Sequence, residues 1–336
     1  MPADEEFMRE AIRQARKGVG ATHPNPAVGA VIVSEETIVA RGWHRAAGTN
    51  HAEIEALGRA RQRAHGATLY VTLEPCSTQG RTPPCTDAIV EAGVARVDYG
   101  ATDPNPKHSG RAAAFLSRAG IEVCAGVLAE PCAALNTEWN KWISRGMPYV
   151  IAKAAMTLDG RINSPPESRW ITSEASRQDA MKLRSRVQAI LVGGRTVRVD
   201  DPQLTVRGLS PSSQPWRVVW TRSGRLPPTA KIFTDQYRDR TLIMKGMSLR
   251  SALRELGSRE IAAVLIEGGG RVLGEAFDAS LVDEVCFYMA PILVGGAIPL
   301  TGGRGVRDNE HAVRLSSVLF KRIGSDVRLT ATVLKK

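Results

Sequence analysis

One histidine, two cysteines and one glutamate in the first third of the chain could build a catalytic zinc site. They are His51, Glu53, Cys76 and Cys85. Three protein ligands leave the fourth position of a tetrahedral zinc open for water, whose pKa the metal lowers to about 7. A carboxylate beside that water can carry protons to a leaving amine. The four residues therefore predict hydrolytic deamination, with His51, Cys76 and Cys85 as ligands and Glu53 as the catalytic proton carrier.

A predicted helix would have to present the first two of these side chains. The spacing of apolar residues predicts this helix from about 51 to 65, and Asn50 could cap its beginning. Residues two apart point to roughly opposite sides of a helix interior. His51 and Glu53 can therefore share a metal only at the first turn of the helix.

A strand and a second helix would position the two cysteines. Residues 69–73 are typical of a strand that ends at Pro75, and Cys76 follows directly. A short helix at about 86–91 would place Cys85 at its beginning, where the positive end of the helix dipole favours a thiolate. Both sulfur atoms are thus expected where elements end or begin.

Structural roles could also explain these residues. His51 could be a surface helix residue, and the cysteines could be ordinary buried thiols or a structural zinc clip. Deaminases that act on nucleic-acid bases usually contain Pro-Cys-x-x-Cys, whereas eight residues separate Cys76 from Cys85 here. The combination of His-x-Glu, a downstream Pro-Cys and a cysteine at a helix start favours the catalytic site.

Four further motifs surround the metal site. They read Thr72-Leu73-Glu74-Pro75-Cys76, Gly80-Arg81-Thr82-Pro83-Pro84-Cys85, His23-Pro24-Asn25-Pro26 and Asp103-Pro104-Asn105-Pro106. Together they closely resemble the bifunctional deaminase-reductase family of riboflavin biosynthesis, and the resemblance covers nearly the whole chain. It implies deamination of 2,5-diamino-6-ribosylamino-4(3H)-pyrimidinone 5′-phosphate. The side chains expected to hold base, ribose and phosphate are Asn25, His44, Arg81, Asp103 and Asn105.

The second half of the chain continues the resemblance. Its motifs are Lys153, Asp159-Gly160-Arg161, Ser168-Arg169-Trp170-Ile171-Thr172-Ser173, Thr196, Asp200-Asp201-Pro202 and Glu267-Gly268-Gly269. They resemble the family's reductase half, whose cofactor is NADPH, and imply hydride transfer to C1′ that opens the ribosyl group to ribityl. The cofactor contacts implied are Ala155, Trp170, Thr196 and a loop of Gly269, Gly270, Arg271, Val272, Leu273, Gly274 and Glu275. The substrate contacts implied are Ser168, Arg184, Asp200, Leu204, Arg207 and Glu267.

The chemistry of these residues suits a phosphorylated ligand. Arg184 and Arg207 can bind phosphate through paired N–H donors, although each alone could be a solvated surface charge. Asp200 and Glu267 can accept hydrogen bonds from sugar hydroxyls or ring N–H groups. Glycines 268–270 follow a strand, where backbone N–H groups can approach phosphate, although such glycines more often form only a tight turn. No Gly-x-Gly-x-x-Gly is present, which argues against a Rossmann domain.

Strands and helices alternate along both halves, which predicts an α/β fold. The stop at Gly146-Met147-Pro148 indicates a domain boundary. The resemblance implies that residues 1–146 form a zinc-dependent pyrimidine deaminase domain, a cytidine-deaminase-like mixed sheet with flanking helices. By resemblance, residues 147–336 are expected to form an NADPH-dependent reductase domain with a dihydrofolate-reductase-like α/β fold.

The composition indicates a soluble globular protein. Hydrophobic residues make up 43% of the chain and charged residues 24%, which is ordinary for a globular protein. No apolar run approaches the ~18 residues of a membrane span, and the acidic start is unlike a signal peptide. The five scattered cysteines do not suggest a disulfide framework. We therefore expect a cytoplasmic protein without a membrane partner. A homo-oligomer is expected as well, although the sequence does not give the oligomeric state.

The net charge of +11 makes a nucleic-acid base deaminase, with a basic accessory domain, the main alternative. That alternative predicts salt-sensitive polynucleotide binding. Only 5% of the residues are aromatic, so few side chains could stack on bases. Phosphorylated substrates and a phosphorylated cofactor also account for the charge, and we expect no nucleic-acid partner. A zinc-stabilised protein without activity is a further alternative, as is a chain whose altered loop at Pro165-Pro166 has inactivated the reductase.

Overall fold

The computed structural model describes residues 2–79, 83–106, 108–162, 170–209, 214–296 and 298–335. The chain divides into two compact units, Met1–Arg145 and Gly146–Lys336. Each unit contains its own sheet and its own hydrophobic core. Among the described residues, no helix is both long and apolar enough to cross a membrane.

The first unit contains a mixed sheet of five strands, counted over the described residues, with the order β2-β1-β3-β4-β5. The strands are β1 Gly29–Ser34, β2 Thr37–Trp43, β3 Thr68–Leu73, β4 Arg96–Ala101 and β5 Glu122–Ala125. The helices are α1 Pro2–Ala15, α2 Ala52–Ala60, α3 Cys85–Glu91, α4 Arg111–Arg118, α5 Ala129–Ala134 and α6 Thr137–Arg145, and Arg61–Ala64 is a 3₁₀ turn.

The parallel strands of this sheet bring two loops together. β3 pairs with β4 in parallel, and Leu73 lies opposite Ala101 at their carboxyl ends. The segments that follow the two strands therefore leave the same edge of the sheet. One segment leads to Cys76, and the other leads to Asp103.

The second unit contains a sheet of eight strands within the described ranges, in the order β12-β13-β11-β6-β10-β7-β8-β9. The strands are β6 Tyr149–Thr157, β7 Ala189–Gly193, β8 Trp216–Thr221, β9 Thr241–Lys245, β10 Ala263–Ile266, β11 Glu284–Ala290, β12 Leu315–Ile323 and β13 Asp326–Val333. The helices are α7 Glu174–Arg184, α8 Gly194–Asp200, α9 Lys231–Thr234, α10 Leu249–Ser258 and α11 Gly270–Asp278, with 3₁₀ turns at Arg238–Arg240 and Asn309–His311.

This second sheet is parallel from β11 through β9, and only β12 and β13 run antiparallel. Its central strands are buried on both faces. Val150 and Ala152 of β6 belong to one core cluster, whereas Tyr149 and Ile151 belong to the other. Such two-sided burial explains why the strands are nearly continuous apolar runs rather than alternating ones.

Two local predictions were wrong. His51, not Asn50, is the N-cap residue of α2, and the α-helix ends at Ala60 because Arg61 adopts a positive φ of 53°. The sequence from about 130 to 145 predicts a single helix, but the structure has the two helices α5 and α6, and Asn136 between them bonds to the backbone of Ala27. The sequence also predicts a helix from about Arg271 after the glycines, and α11 begins at Gly270, so most of the implied cofactor loop of residues 269–275 is helical.

Candidate metal centre and reductase site

The three predicted ligands lie together in the first unit. His51 Nδ1 is 3.2 Å from Cys85 Sγ and 3.6 Å from Cys76 Sγ. All three donor atoms lie within 4.8 Å of one another. The ligand atoms of a tetrahedral zinc with one nitrogen and two sulfurs are separated by roughly 3.5–3.8 Å, within a few tenths of an ångström of the two distances from His51. The donor set and its spacing therefore fit zinc.

Each ligand occupies an element end. His51 has an extended backbone as the N-cap of α2, so its imidazole lies at the end of the helix rather than on its side. Cys76 follows β3 by three residues, and Cys85 is the first residue of α3 after Pro84. The Cys85 backbone N–H donates to Cys76 Sγ over 3.3 Å. This arrangement meets the requirement that His51 and Glu53 share the metal at a first turn.

The ligands polarise one another. The hydrogen bond from the Cys85 thiol, with support from His51, lowers the pKa of Cys76 to about 4. The hydrogen bond to Cys76 raises the pKa of His51 to about 8. The same sharing with Cys76 raises the pKa of the Cys85 thiol above its usual value. One thiolate is thus already favoured, and metal binding would displace the remaining protons, since zinc ligands bind deprotonated.

Glu53 lies beside the ligands and away from bulk water. It stands in the first turn of α2 and is 4% exposed. Burial raises the pKa of its carboxyl group, and Cys85 is one of its hydrogen-bonding partners. A raised pKa makes the carboxylate a stronger base, which suits a group that accepts a proton and passes it on.

Asn25 and His44 form a hydrogen-bonded pair next to the ligands. Asn25 Nδ2 is 3.1 Å from His44 Nε2, and His44 Nδ1 is 3.0 Å from the carbonyl oxygen of Asn50. A carbonyl oxygen only accepts, so Nδ1 carries the proton and Nε2 accepts from Asn25. Burial lowers the pKa of His44, which favours this neutral form. The His44 ring stands edge-on to that of His51, with centroids 5.3 Å apart.

The segment that carries Asn25 is held by the end of the first unit. The Asn136 side chain accepts from Ala27 N over 2.7 Å and donates to Ala27 O over 2.9 Å. Trp139 Nε1 donates to the carbonyl oxygen of Pro24 over 3.1 Å. The His-Pro-Asn-Pro motif is therefore fixed by α6 and the residue before it.

Asp103 and Asn105 lie on the other loop at this edge. The Asn105 N–H donates to Asp103 Oδ1 over 2.8 Å, and burial raises the pKa of Asp103 to about 6. The loops after β3 and β4 are also joined by Thr78 Oγ1 and His108 Nδ1, which are 3.0 Å apart. Arg81, the fifth predicted substrate residue, lies outside the described residues.

In the second unit, Glu267 and Arg184 form a buried ion pair. Arg184 Nε and Nη2 donate to the two oxygens of Glu267 over 2.6 and 2.8 Å, and Nη1 donates to Thr205 O over 2.9 Å. Lys153 Nζ is 3.6 Å from Glu267 Oε2. Burial alone would raise the pKa of Glu267, but the charges of Arg184 and Lys153 outweigh it and lower the pKa to about 2. Glu267 is therefore an ionised acceptor.

The glycines after β10 have two different roles. A Cβ atom on Gly270 would lie 2.4 Å from Pro299 O, and one on Gly274 would lie 2.2 Å from Gly303 N. These two glycines are thus required by the close passage of residues 299–303. Gly269 is the N-cap of α11, and a Cβ atom there would meet nothing within 4 Å. Tight packing explains the first two glycines, and an accessible backbone is left at Gly269.

The other predicted reductase residues are spread over several elements, and their ligand contacts stay predictions. Trp170 is 52% exposed, with the Arg177 guanidinium 5.0 Å from its ring centroid. Leu204 is buried in the core and has a positive φ of 53°. Ala155 lies in β6, and Thr196 and Asp200 lie in α8. Arg207 is exposed, and Ser168 lies outside the described residues.

Known protein families match both halves of the chain. The cytidine and deoxycytidylate deaminase zinc-binding region matches residues 1–101, and the RibD C-terminal domain matches residues 148–329. The riboflavin biosynthesis protein RibD of Aquifex aeolicus is 39% identical over 96% of this chain and 97% of its own length. RibD of Escherichia coli K12 is 41% identical over 97% of this chain and 98% of its own. The chain belongs to the RibD family.

Solved RibD structures have the same fold. RibD of Acinetobacter baumannii superposes with a TM-score of 0.91 at 37% identity, and the match covers 99% of both chains. A Thermotoga maritima structure superposes with a TM-score of 0.85 at 34% identity, again over 99% of both chains. The predicted fold class, a cytidine-deaminase-like unit followed by a dihydrofolate-reductase-like unit, is confirmed.

Membership of the RibD family also confirms the predicted activity class. The chain is a bifunctional deaminase and reductase of riboflavin biosynthesis, with zinc and NADPH as cofactors. The alternative of a nucleic-acid base deaminase is not favoured by these matches.

Three residues beside the RibD sites were absent from the predicted site residues, namely Glu74, His108 and Lys153. Glu74 and Lys153 belong to the motifs on which the family resemblance rests, and this membership could have identified them as site residues.

Proposed function

We propose that residues 1–146 deaminate 2,5-diamino-6-ribosylamino-4(3H)-pyrimidinone 5′-phosphate, and that residues 147–336 reduce the ribosyl group of the resulting uracil with NADPH. The observation that carries this proposal is the cluster of His51, Cys76 and Cys85, with Glu53 in the first turn of the helix whose N-cap residue is His51. The Thermotoga maritima relative is titled a diaminohydroxyphosphoribosylaminopyrimidine deaminase and 5-amino-6-(5-phosphoribosylamino)uracil reductase.

In the deaminase unit, Glu53 performs the proton transfers. Zinc held by the three ligands supplies an activated water when it is bound. Glu53 takes a proton from the attacking water and delivers it to the leaving amino group, and the second proton of the water ends on the adjacent ring nitrogen, so that water and the amine become a ring carbonyl group and ammonia. Because Glu53 is buried, its carboxyl group can hold the proton between the two transfers.

Substrate recognition in this unit falls to the two loops and the Asn25 segment. His44 uses Nε2 to accept from Asn25, which fixes the amide group and leaves its oxygen and second N–H for the base. Asp103 and Asn105 face the same edge from the segment after β4. Arg81 completes the proposed set as the phosphate contact.

In the reductase unit, NADPH supplies the hydride, and the protein orients the two reactants. Glu267 is ionised and accepts hydrogen bonds, and the ammonium group of Lys153 lies 3.6 Å from its Oε2 as a neighbouring positive charge. Cofactor contacts are proposed for Ala155, Trp170, Thr196 and residues 269–275. Val272 and Leu273 are buried and donate their backbone N–H groups to Gly269 O over 2.9 and 3.3 Å, so their contribution would be to hold the backbone of Gly269 in place. Substrate contacts are proposed for Ser168, Arg184, Asp200, Leu204, Arg207 and Glu267.

The proposed function is tested by supplying the diaminopyrimidine phosphate with and without NADPH. Ammonia release and loss of reduced-cofactor absorbance are followed separately. Ammonia should appear without NADPH, and NADPH should be consumed only once deaminated substrate is present. Chelation of zinc should stop ammonia release while pre-deaminated substrate still consumes NADPH. Loss of both activities on chelation of a folded protein would contradict two separate sites.

The distribution of charge supports NADPH as the phosphorylated cofactor. Residues 1–145 contain 16 basic and 16 acidic side chains, whereas residues 146–336 contain 29 and 18. Arg222 and Arg225 lie just after β8, and Lys245 ends the neighbouring parallel strand β9 with its side chain beside Gly224, where a Cβ atom would lie 2.8 Å away. All three cations are exposed, and exposed cations suit the 2′-phosphate that distinguishes NADPH from NADH.

Replacing both Arg222 and Arg225 by glutamine should raise the KM for NADPH by about tenfold or more, because each lost charged hydrogen bond costs about 1.5–3 kcal/mol. The KM for NADH should stay unchanged. The measurement is steady-state reduction of pre-deaminated substrate with each cofactor. Arg254→Gln, an exposed arginine on α10, is the matched control. An equal loss with both cofactors would contradict a 2′-phosphate contact.

We also propose that the protein is a homo-oligomer that associates through β12. This strand is at the edge of the second sheet, and Leu319 and Phe320 are 68% and 67% exposed. An exposed apolar edge strand is a ready surface for pairing with another chain.

Replacing Leu319 and Phe320 by lysine should convert the oligomer to monomer in sedimentation velocity at micromolar concentration. The charged side chains would remove the apolar contact and repel their counterparts. Phe115→Lys on α4, which is 41% exposed in the first unit, is the control and should not change the mass. A wild-type protein that sediments as a monomer would contradict the proposal.

The proposed location of the protein is the cytoplasm. The five cysteines, Cys76, Cys85, Cys124, Cys132 and Cys286, are all free thiols in the structure. Free thiols that serve as metal ligands are retained in a reducing compartment, where disulfides are rare. Both substrates and NADPH are small molecules, and no nucleic-acid or membrane partner is needed for the proposed reactions.

A further inference from the structure

Glu74 is a nearly fully buried acidic residue that the proposed chemistry does not use. It is 3% exposed and stands two residues before the ligand Cys76. The donor cluster found among the described residues consists of His51, Cys76 and Cys85 and does not include it. A buried carboxylate is costly unless it is well hydrogen-bonded. Its partners therefore show what it does.

Those partners are backbone N–H groups of the segment after β4. Glu74 Oε2 accepts from Asp103 N over 3.2 Å and from Gly110 N over 3.0 Å. Glu74 Oε1 accepts from Ala112 N over 3.1 Å. Hydrogen bonds to an ionised acceptor are roughly twice as strong as neutral ones. One carboxylate thus holds both ends of the segment from Asp103 to Ala112.

One of these hydrogen bonds takes the place of a missing helix cap. Gly110 is the N-cap residue of α4, with a positive φ of 73°, and it has no side chain that could accept from the first turn. Glu74 accepts from the second helical residue, Ala112, in its place. A negative charge at this end of a helix is also favoured by the helix dipole.

The held segment carries two proposed substrate contacts. Asp103 is bonded to Glu74 directly, and Asn105 is fixed to Asp103 by its own N–H over 2.8 Å. The backbone N–H of Glu74 in turn donates to Ala101 O over 2.8 Å. Glu74 therefore connects the segment that ends in Cys76 to the segment that begins with Asp103.

We propose that Glu74 is a positioning residue for the deaminase, which fixes the loop of Asp103 and Asn105 relative to the metal ligands. The inference rests on the proposed deaminase function. Without this anchor the loop of Asp103 and Asn105 would sample more positions. Substrate affinity should then fall, whereas the rate of proton transfer by Glu53 should change little. A carboxylate that serves only the stability of the unit would lower the unfolding temperature and leave the KM unchanged.

The test compares Glu74→Gln and Glu74→Asp with Glu91→Gln, an exposed glutamate on α3. The amide of Glu74→Gln keeps the shape but has one accepting oxygen, so at least one of the three N–H groups loses its partner. We expect the KM for the diaminopyrimidine phosphate to rise about tenfold in Glu74→Gln, with kcat within about threefold of wild type. Glu74→Asp, which keeps the charge, should have an intermediate KM.

Zinc content, unfolding temperature and the reductase rate with pre-deaminated substrate are measured on the same preparations. Normal zinc and normal reduction with a raised deaminase KM support the positioning role. An unchanged KM overturns it, as does loss of deamination in proportion to lost zinc, or failure of both variants to fold. A wild-type protein that releases no ammonia from this substrate would instead overturn the proposed function.

Discussion

Glu53→Gln is expected to lower the deaminase kcat by a factor of about 10² to 10⁴, the usual contribution of a positioned proton carrier. The amide keeps the volume of the buried side chain but cannot take a proton from water. Zinc should remain bound, because His51, Cys76 and Cys85 hold the metal without Glu53. The measurement is single-turnover ammonia release from the diaminopyrimidine phosphate, together with the zinc content of the variant.

A neighbouring glutamate on the same helix provides the control. Glu55 lies two residues further along α2, where it pairs with Arg59 and Arg45 at the surface. Glu55→Gln should keep kcat within about twofold, because exposed ion pairs contribute 0–1 kcal/mol. Both variants should reduce pre-deaminated substrate at the wild-type rate. Deamination that persists in zinc-loaded Glu53→Gln would remove Glu53 from the reaction.

The metal centre could be predicted from the sequence because its ligands stand at element ends. Pro75 marks the end of β3 before Cys76, and Pro84 precedes Cys85 at the start of α3. The requirement for a first-turn arrangement followed from helix geometry alone. Only its detail was wrong, since His51 itself is the N-cap residue. Local rules were sufficient here because each ligand is positioned by its own element.

Features that depend on distant contacts could not be predicted in this way. The break between α5 and α6 is fixed by Asn136 and Ala27, which are 109 residues apart. The helix α8 was missed because Gly194-Arg195-Thr196-Val197 has low helix propensity. Strand β12 was missed because a register shift between Ser316 and Leu319 disrupts its alternation. Tertiary packing determines all three.

The roles of buried charges also emerged only in three dimensions. Arg184 was expected to bind phosphate, and in the structure three of its nitrogens donate to Glu267 and Thr205. The predicted phosphate contact would thus have to use the remaining N–H hydrogens. Glu74 is similar, since nothing in its local sequence indicates that it binds residues near position 110. A sequence gives the identity of a charge, but its partner depends on the fold.

Arg184→Met is expected to cause the largest loss in the reductase unit. The substitution keeps the apolar length of the side chain but leaves the Glu267 carboxylate buried without its forked partner. Breaking a buried ion pair in this way costs about 3–5 kcal/mol of unfolding free energy. Reduction of pre-deaminated substrate should fall at least a hundredfold, whereas ammonia release should be retained. Denaturant unfolding and the two activity assays provide the measurements.

The acid sensitivity of unfolding gives an independent check of the same pair. The pKa of Glu267 falls from 4.5 to about 2 in the folded protein, so its contribution to stability is present above pH 4.5 and is lost as the pH falls towards 2. That contribution is about 3 kcal/mol, at 1.36 kcal/mol per pKa unit. Without Arg184 the pKa of Glu267 should rise, so Arg184→Met should lose less stability than wild type over this range. Arg259→Met is the control, because it removes an exposed ion pair with Glu255 of α10. Its unfolding free energy should fall between pH 4.5 and 2 by as much as that of the wild type. Equal acid dependence in Arg184→Met and wild type would mean that the guanidinium does not stabilise the buried carboxylate.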